Sequence, residues 1–217
     1  MSVTVITPAV SKRLTTVQNV RSDLSLAETS PATAQIERWI DQASARAASF
    51  CRRTFGRETV RERFELCHGR IDDTRSGLLL SRSPVVSIAS VRIDGVQQDA
   101  DTYECDGRLL YRLDGSDRRC WYGRIVIVEY EAGWLLPGES RGNPPTTAAP
   151  DLPADLERAV IQLVGAALSA GSRDMMVKSE QVEGVGQTDW YVQGTNASLP
   201  HPEAEATLSE YRRLHFA

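Results

Sequence analysis

A chain of 217 residues that is 41% hydrophobic can bury a sizeable core as one domain, or as a core plus an insertion. Its formal net charge of -4 and pI near 5.5 argue against holding nucleic acid by counterion release, which needs a basic face. No apolar run approaches the roughly 18 residues a membrane span needs. The start, MSVTVITPAVSKR, has no basic region followed by an apolar stretch, so no signal peptide is expected and the cytosol is the expected site of synthesis.

Residues 1–29 hold a weak helical segment around Lys12–Val20. Ser30-Pro31 then reads as a helix start, a capping hydroxyl followed by proline in the first turn. Ile36, Trp39, Ile40, Ala43, Ala47, Phe50 and Cys51 recur at helical spacing, which predicts an amphipathic helix ending near Thr54–Gly56 with arginines in its last turn.

From Arg57 to Trp134 the period becomes alternating. Val60, Glu62, Phe64 and Leu66 share one strand face; Arg61, Arg63 and Glu65 share the other. Leu78–Leu80 is short and apolar. In VVSIASVRI the apolar parity slips between Ile88 and Val91, which predicts a bulge near Ala89-Ser90. Asp94-Gly95 and Asp106-Gly107 are tight-turn pairs, and RIVIVEY over Arg124–Tyr130 is a strand apolar on both faces except Glu129. The expected product is a small antiparallel sheet or barrel.

Leu136–Pro150, rich in Pro, Gly, Ser and Thr, reads as a loop. Helical spacing returns from Leu152 to Leu168, with Asp151 and Asp155 near its start and Gly165, Ala166 and Ala167 permitting close approach to the earlier helix. Val177–Val192 reads as an extended, polar, glycine-containing arm carrying Trp190 and Tyr191, and Pro202–Leu214 as a last short helix. The fold class is α+β: a helical core of two main helices plus short terminal helices, with an antiparallel β insertion between them. The divisions expected are 1–56, 57–135, 136–152, 153–172 and 173–217.

Reactive chemistry is sparse. Cys51, Cys67, Cys105 and Cys120 form no C-x-x-C pair, and the one Cys–His adjacency is Cys67-His68, so reduced structural thiols are expected rather than a metal site. His68, His201 and His215 show no nucleophile–base–carboxylate pattern. Gly184-Val185-Gly186 lacks the lysine and context of a phosphate loop, and Asp72-Asp73 and Asp99–Asp101 lack EF-hand spacing. No catalytic residue, cofactor or metal ligand is therefore expected. Arg52, Arg53, Arg57, Arg61 and Arg63 interleave with Glu58, Glu62 and Glu65, as a self-paired solvated surface would. Asp155 and Glu157, with Arg158, could face a lumen and keep a duplex from sticking. Trp190 and Tyr191 read either as ordinary core packing or, since this segment has little local core, as anchors for a neighbour, joined by Val177, Val182 and Val185 in an intersubunit arm that adds a strand to the next subunit. Leu208, Tyr211, Leu214 and Phe216 form a second candidate contact.

Taken in order, FCRRTFGRETVRERFEL, SPVVSIASVRIDG, IVIVEYEAGW, LPADLERAVIQLVGAAL and VKSEQVEGVGQTDWYV resemble the head–tail connector (adaptor) proteins of tailed phages and gene transfer agents. The motifs are core and turn chemistry, so the resemblance rests on their joint order. It implies a virion protein with no enzymatic activity. Copies would form a ring, a dodecamer under a twelvefold portal, at the head–tail interface. The ring would continue the channel for double-stranded DNA without sequence-specific binding and present a platform to the tail-side stopper. Leu199–Ala217 would face the portal, and the β insertion is a departure from the shortest, nearly all-helical members. The alternative is a carbohydrate- or ligand-binding β domain on a helical scaffold, with Trp121, Tyr122 and Trp134 as its aromatic platform.

Overall fold

The computed structural model describes residues 2–66, 77–141, 146–147, 149–170, 179–182, 186–189 and 198–213. The fold is α+β, with four helices and antiparallel sheets and no barrel among the described residues. Two compact units divide it: Met1–Ser11 with Phe55–Leu135, and Lys12–Thr54 with Leu136–Ala217.

The first unit is built from strands β1 (Ser2–Thr7), β2 (Glu58–Glu65), β3 (Leu78–Leu79), β4 (Val85–Ile93), β5 (Val96–Gln97), β6 (Tyr103–Asp106), β7 (Leu109–Asp114), β8 (Asp117–Arg119) and β9 (Ile125–Ala132). One sheet runs in the order β1-β2-β9-β4-β5; the other runs β3-β7-β6, with β8 on β7. The RIVIVEY strand lies at the centre of the larger sheet because both of its edges are paired and alternate residues are buried. Alternation in β2 buries Glu58, Val60, Glu62 and Phe64 and leaves Arg61, Arg63 and Glu65 outside. One core cluster draws on both sheets, with Val60, Phe64, Val91, Val126, Val128 and Tyr130 from the larger and Leu78 and Leu110 from the smaller.

The parity slip in β4 is a bulge: its register against β9 shifts between Ile88 and Ser90, and again between Val85 and Ser87. Asp94-Gly95 closes β4 onto β5 with positive φ at both residues (48° and 88°), the conformation Asp-Gly hairpin turns favour. The Asp94 carboxyl then accepts the Arg124 N–H (3.0 Å) and the Ile125 N–H (2.8 Å), fixing the start of β9.

Gly133 sits at φ +107°, and a Cβ there would meet the Gly56 carbonyl oxygen at 2.5 Å. Gly133→Ala therefore combines left-handed strain with a backbone clash and should cost about 2–3 kcal/mol. Urea unfolding checks this, and a loss under about 0.5 kcal/mol would show that the two segments separate freely there.

The second unit contains α1 (Val17–Asp23), α2 (Thr33–Cys51), the short strands β10 (Ser140–Arg141) and β11 (Thr146–Thr147), α3 (Ala154–Ala170), the ribbon β12 (Ser179–Val182) and β13 (Gly186–Asp189), and α4 (Pro202–Glu210). Helix α2 buries Ile36, Ile40, Ala43, Ser44, Ala47 and Cys51, and α3 buries Leu156, Ala159, Val160, Ile161, Leu163 and Val164. The two pack on each other, and α4 packs on both. Gly165 lets α3 approach Leu24, which an added Cβ would meet at 3.3 Å.

Four expectations are corrected. The first helix is Val17–Asp23, capped by the Thr16 hydroxyl on the Asn19 N–H (3.2 Å), later than the apolar spacing suggested. Helix α2 starts at Thr33 with Ala32 at its N-cap, so the Ser30 hydroxyl does not cap it and Pro31 precedes it. It ends at Cys51, where Arg52 turns left-handed (φ 53°), so Arg52 and Arg53 follow the last turn. The span 136–150 is more than loop: Ser140–Arg141 pairs with Thr146–Thr147.

Candidate functional site

The first turn of α3 carries two acids that fasten other elements to it. Glu157 Oε1 accepts from the Thr15 hydroxyl (2.8 Å) and the Asn19 Nδ2 (2.7 Å), holding the start of α1. Asp155 accepts the Tyr211 hydroxyl at 2.8–2.9 Å, holding the end of α4. Both charges also suit the positive end of the α3 dipole. They are thus engaged within the unit, and the lumen role considered for them is not needed to explain their presence.

Helix α4 is fixed at both ends. His201 Nδ1 accepts the Ala204 N–H (3.3 Å) as the N-cap, and Glu205 accepts the N–H groups of Ser198 (3.1 Å) and Leu199 (3.0 Å). Arg46 reaches the Ser198 carbonyl at 2.9 Å. Ala204 and Leu208 are fully buried, and the Leu208 carbonyl accepts the Cys51 thiol at 3.2 Å. The Arg213 N–H donates to the Cys51 carbonyl (3.0 Å), and the Arg212 guanidinium lies 5.3 Å from the Phe50 ring centre. Burial pushes the Cys51 thiol up to about 11, which suppresses thiolate chemistry there.

Tyr211 gives a pH signature. Burial, then its bond to Asp155, pushes its hydroxyl from 10.0 up to about 12. A raised folded-state value means the contribution is full below pH 10 and is lost as pH rises through about 12. Tyr211→Phe should cost about 1 kcal/mol at pH 8, with the difference from the parent closing by pH 12. Unfolding free energies at both pH values check this; a gap that persists at pH 12 would contradict it.

An open groove of about 290 Å3 runs between α2 and α3, lined by Trp39, Ala43, Arg46, Leu163, Ala167 and Pro200 among others. The three aromatics of the β unit do not form a platform. Trp121 is buried in the core with its indole N–H on the Leu110 carbonyl (3.1 Å), and Trp134 packs on Phe55 at 5.9 Å between ring centres. Tyr122 alone is exposed, with Arg112 over its ring at 4.6 Å. In the basic cluster, Arg61 pairs with Glu129 (2.7 Å) and Arg63 with Glu65 (3.1 Å), while Arg82 takes Glu58 (2.8 Å). Glu62 does not pair with an arginine in this way; it is fully buried and accepts the Tyr130 hydroxyl (2.7 Å), the Ser81 N–H (3.0 Å) and the Ser81 hydroxyl.

Of the residues singled out in the sequence, Leu208 and Tyr211 come together with Cys51 and Asp155. Val182 ends β12, whereas Val177, Val185, Trp190, Tyr191, Leu214 and Phe216 lie outside the described residues, as do Cys67, His68, Asp72 and Asp73. Sequence reasoning missed β1, whose signal was the β-branched run Val3, Val5, Ile6, and the capping role of His201. Among the described residues no group of three or more His, Cys, Asp or Glu could hold a metal, and no helix is long and apolar enough to cross a membrane.

The residues thus define an α+β protein whose polar side chains mostly pin its own elements. No protein-family model and no curated protein matches the chain. Solved structures share its fold end to end. A chain of the neck of an empty gene transfer agent (GTA) particle, computed with C6 symmetry, aligns at a TM-score of 0.50 and 16% identity, covering 100% of this chain and 98% of that chain. A chain of the virion of a native GTA particle aligns at a TM-score of 0.53 and 14% identity, with the same coverages, 100% and 98%. At such identities the likeness is one of fold.

Proposed function

We propose that this chain is a structural head–tail adaptor of a tailed phage or GTA particle. Copies form a ring beneath the portal, matched to its twelvefold symmetry, extend the DNA channel and offer the next tail or stopper component its docking platform. The observation that carries this reading is the end-to-end fold likeness to a chain of a GTA particle neck. The order of the sequence motifs supports it as well, and the acids and thiol described above are engaged in holding the fold together. No covalent chemistry is required, because modest contacts repeated around a closed ring sum to a stable assembly.

In this reading Leu214 and Phe216 meet the portal, whereas Leu208 and Tyr211, expected in the same contact, are held inside the unit against Cys51 and Asp155 and serve instead as the base of α4. Val177, Val182, Val185, Trp190 and Tyr191 belong to the intersubunit arm. Double-stranded DNA passes through without sequence-specific contact. Removing the encoding gene from a producing cell should leave DNA-filled heads that lack tails in electron micrographs. Complete tailed particles from such cells would overturn the proposal.

A further inference from the structure

The larger sheet of the β unit ends on β1, and that edge is unusually bare. All six residues of β1 are exposed and none carries a charge. Its register puts Val3 opposite Glu62 and Val5 opposite Val60, on the core-facing side, yet these valines are 39% and 42% exposed; Ile6, where the register shifts, is 45% exposed. Sheet edges are ordinarily blunted by charge, proline or bulges. The opposite edge follows that rule, since β4 carries two register shifts and β5 covers Arg92 and Ile93. Over Ser2–Val5, β1 has none of these devices and no strand on its outer side among the described residues.

The helical unit holds the complementary shortage. Strands β12 and β13 pair only with each other among the described residues, four residues against four. A two-stranded ribbon of that size is marginal in water unless a sheet or helix supports it. The chain therefore contains a sheet short of a strand and a ribbon short of a sheet.

We propose that the outer edge of β1 receives the β12–β13 ribbon of a neighbouring copy. The inference rests on the ring reading above and supplies what that reading leaves open, the surface that accepts the arm. A ring closes through heterologous contacts, in which one patch meets a different patch on the next copy. Edge and ribbon are two such patches, whereas β1 pairing with β1 would be isologous and would stop at two copies. Main-chain hydrogen bonds along the edge would supply the contact, and burial of Val3, Val5 and Ile6 would add to it.

The test replaces Thr4 with the photo-reactive residue p-benzoylphenylalanine in the full chain. Light and 15N-labelled copies are mixed in equal amounts, added to portal and irradiated, with mass measured on the same sample. The expected product joins residue 4 of one copy to the 179–189 segment of another, with about half of the crosslinked peptides pairing one light and one heavy partner. Products joining residue 4 to residue 4, to the Val85–Ser90 edge or to the same copy's ribbon would overturn the inference. A ring-sized species with no crosslink to 179–189 sinks the β1 assignment and leaves the adaptor reading standing. Absence of any assembly with portal sinks both.

Discussion

Trp121→Ala should unfold with about 4 kcal/mol less stability than the parent, a fall of roughly 10 °C in Tm for a chain of this size. The indole is 1% exposed, so truncation removes a large apolar side chain from a packed core and leaves a cavity. It also strips the Leu110 carbonyl of its indole donor. Tyr122→Ala, one residue along, is the control. That ring is 47% exposed and holds Arg112 only across its face, so the loss should stay under about 1 kcal/mol. Thermal and urea unfolding of the pair check the contrast. A Trp121→Ala protein as stable as its parent would mean the indole is a surface group, as the aromatic-platform alternative requires.

Glu62→Ala should cost about 3–4 kcal/mol. Three donor groups converge on this buried carboxyl: the Tyr130 hydroxyl, the Ser81 N–H and the Ser81 hydroxyl. Removing the acceptor leaves donors facing a dry cavity, and the loss of an interior polar partner costs more than the bond's net worth in water. Tyr130 is tied into the same set, accepting the Arg82 N–H at 3.0 Å. Burial first, and then the Glu62 carboxyl, pushes the Tyr130 hydroxyl well above its ordinary range. Arg61→Ala on the opposite face of the same strand removes an ion pair with Glu129 in which the arginine is 52% exposed, and should cost no more than about 1 kcal/mol. Equal losses for the two variants would contradict the network, and tyrosinate absorbance near 295 nm gives a second readout of Tyr130.

Periodicity carried the β unit well. Alternation in β2, the parity slip near Ala89-Ser90 and the Asp94-Gly95 turn were all readable, because a buried sheet face leaves a period-two imprint; β9 was readable as a strand, but as one apolar on both faces except Glu129, so its alternating burial was not. Glu62 shared a face with Val60 and Phe64 but was also expected on a solvated, self-paired surface with Glu58 and Glu65; instead it is buried, and its partners Ser81 and Tyr130, distant in the chain, were not legible. Helix ends were less legible. Pro31 carries the signal of a first-turn proline, yet α2 begins two residues later; its end at Arg52 is a left-handed residue that is not glycine, so nothing in the sequence marks it. The strand β1 is short and ends before Pro8, and its exposed valines carry no alternation with charge to reveal a face. Leu208 and Tyr211 were legible as the apolar side of a short helix, but not their destinations beside Cys51 and Asp155, which depend on how α4 docks.

The central claim is assembly on a portal, and the most direct measurement is the light-scattering mass of the purified protein, first alone and then with its cognate portal. The account predicts a single chain alone and a ring-sized complex once portal is present. A mass that stays that of one chain in the presence of portal would contradict it.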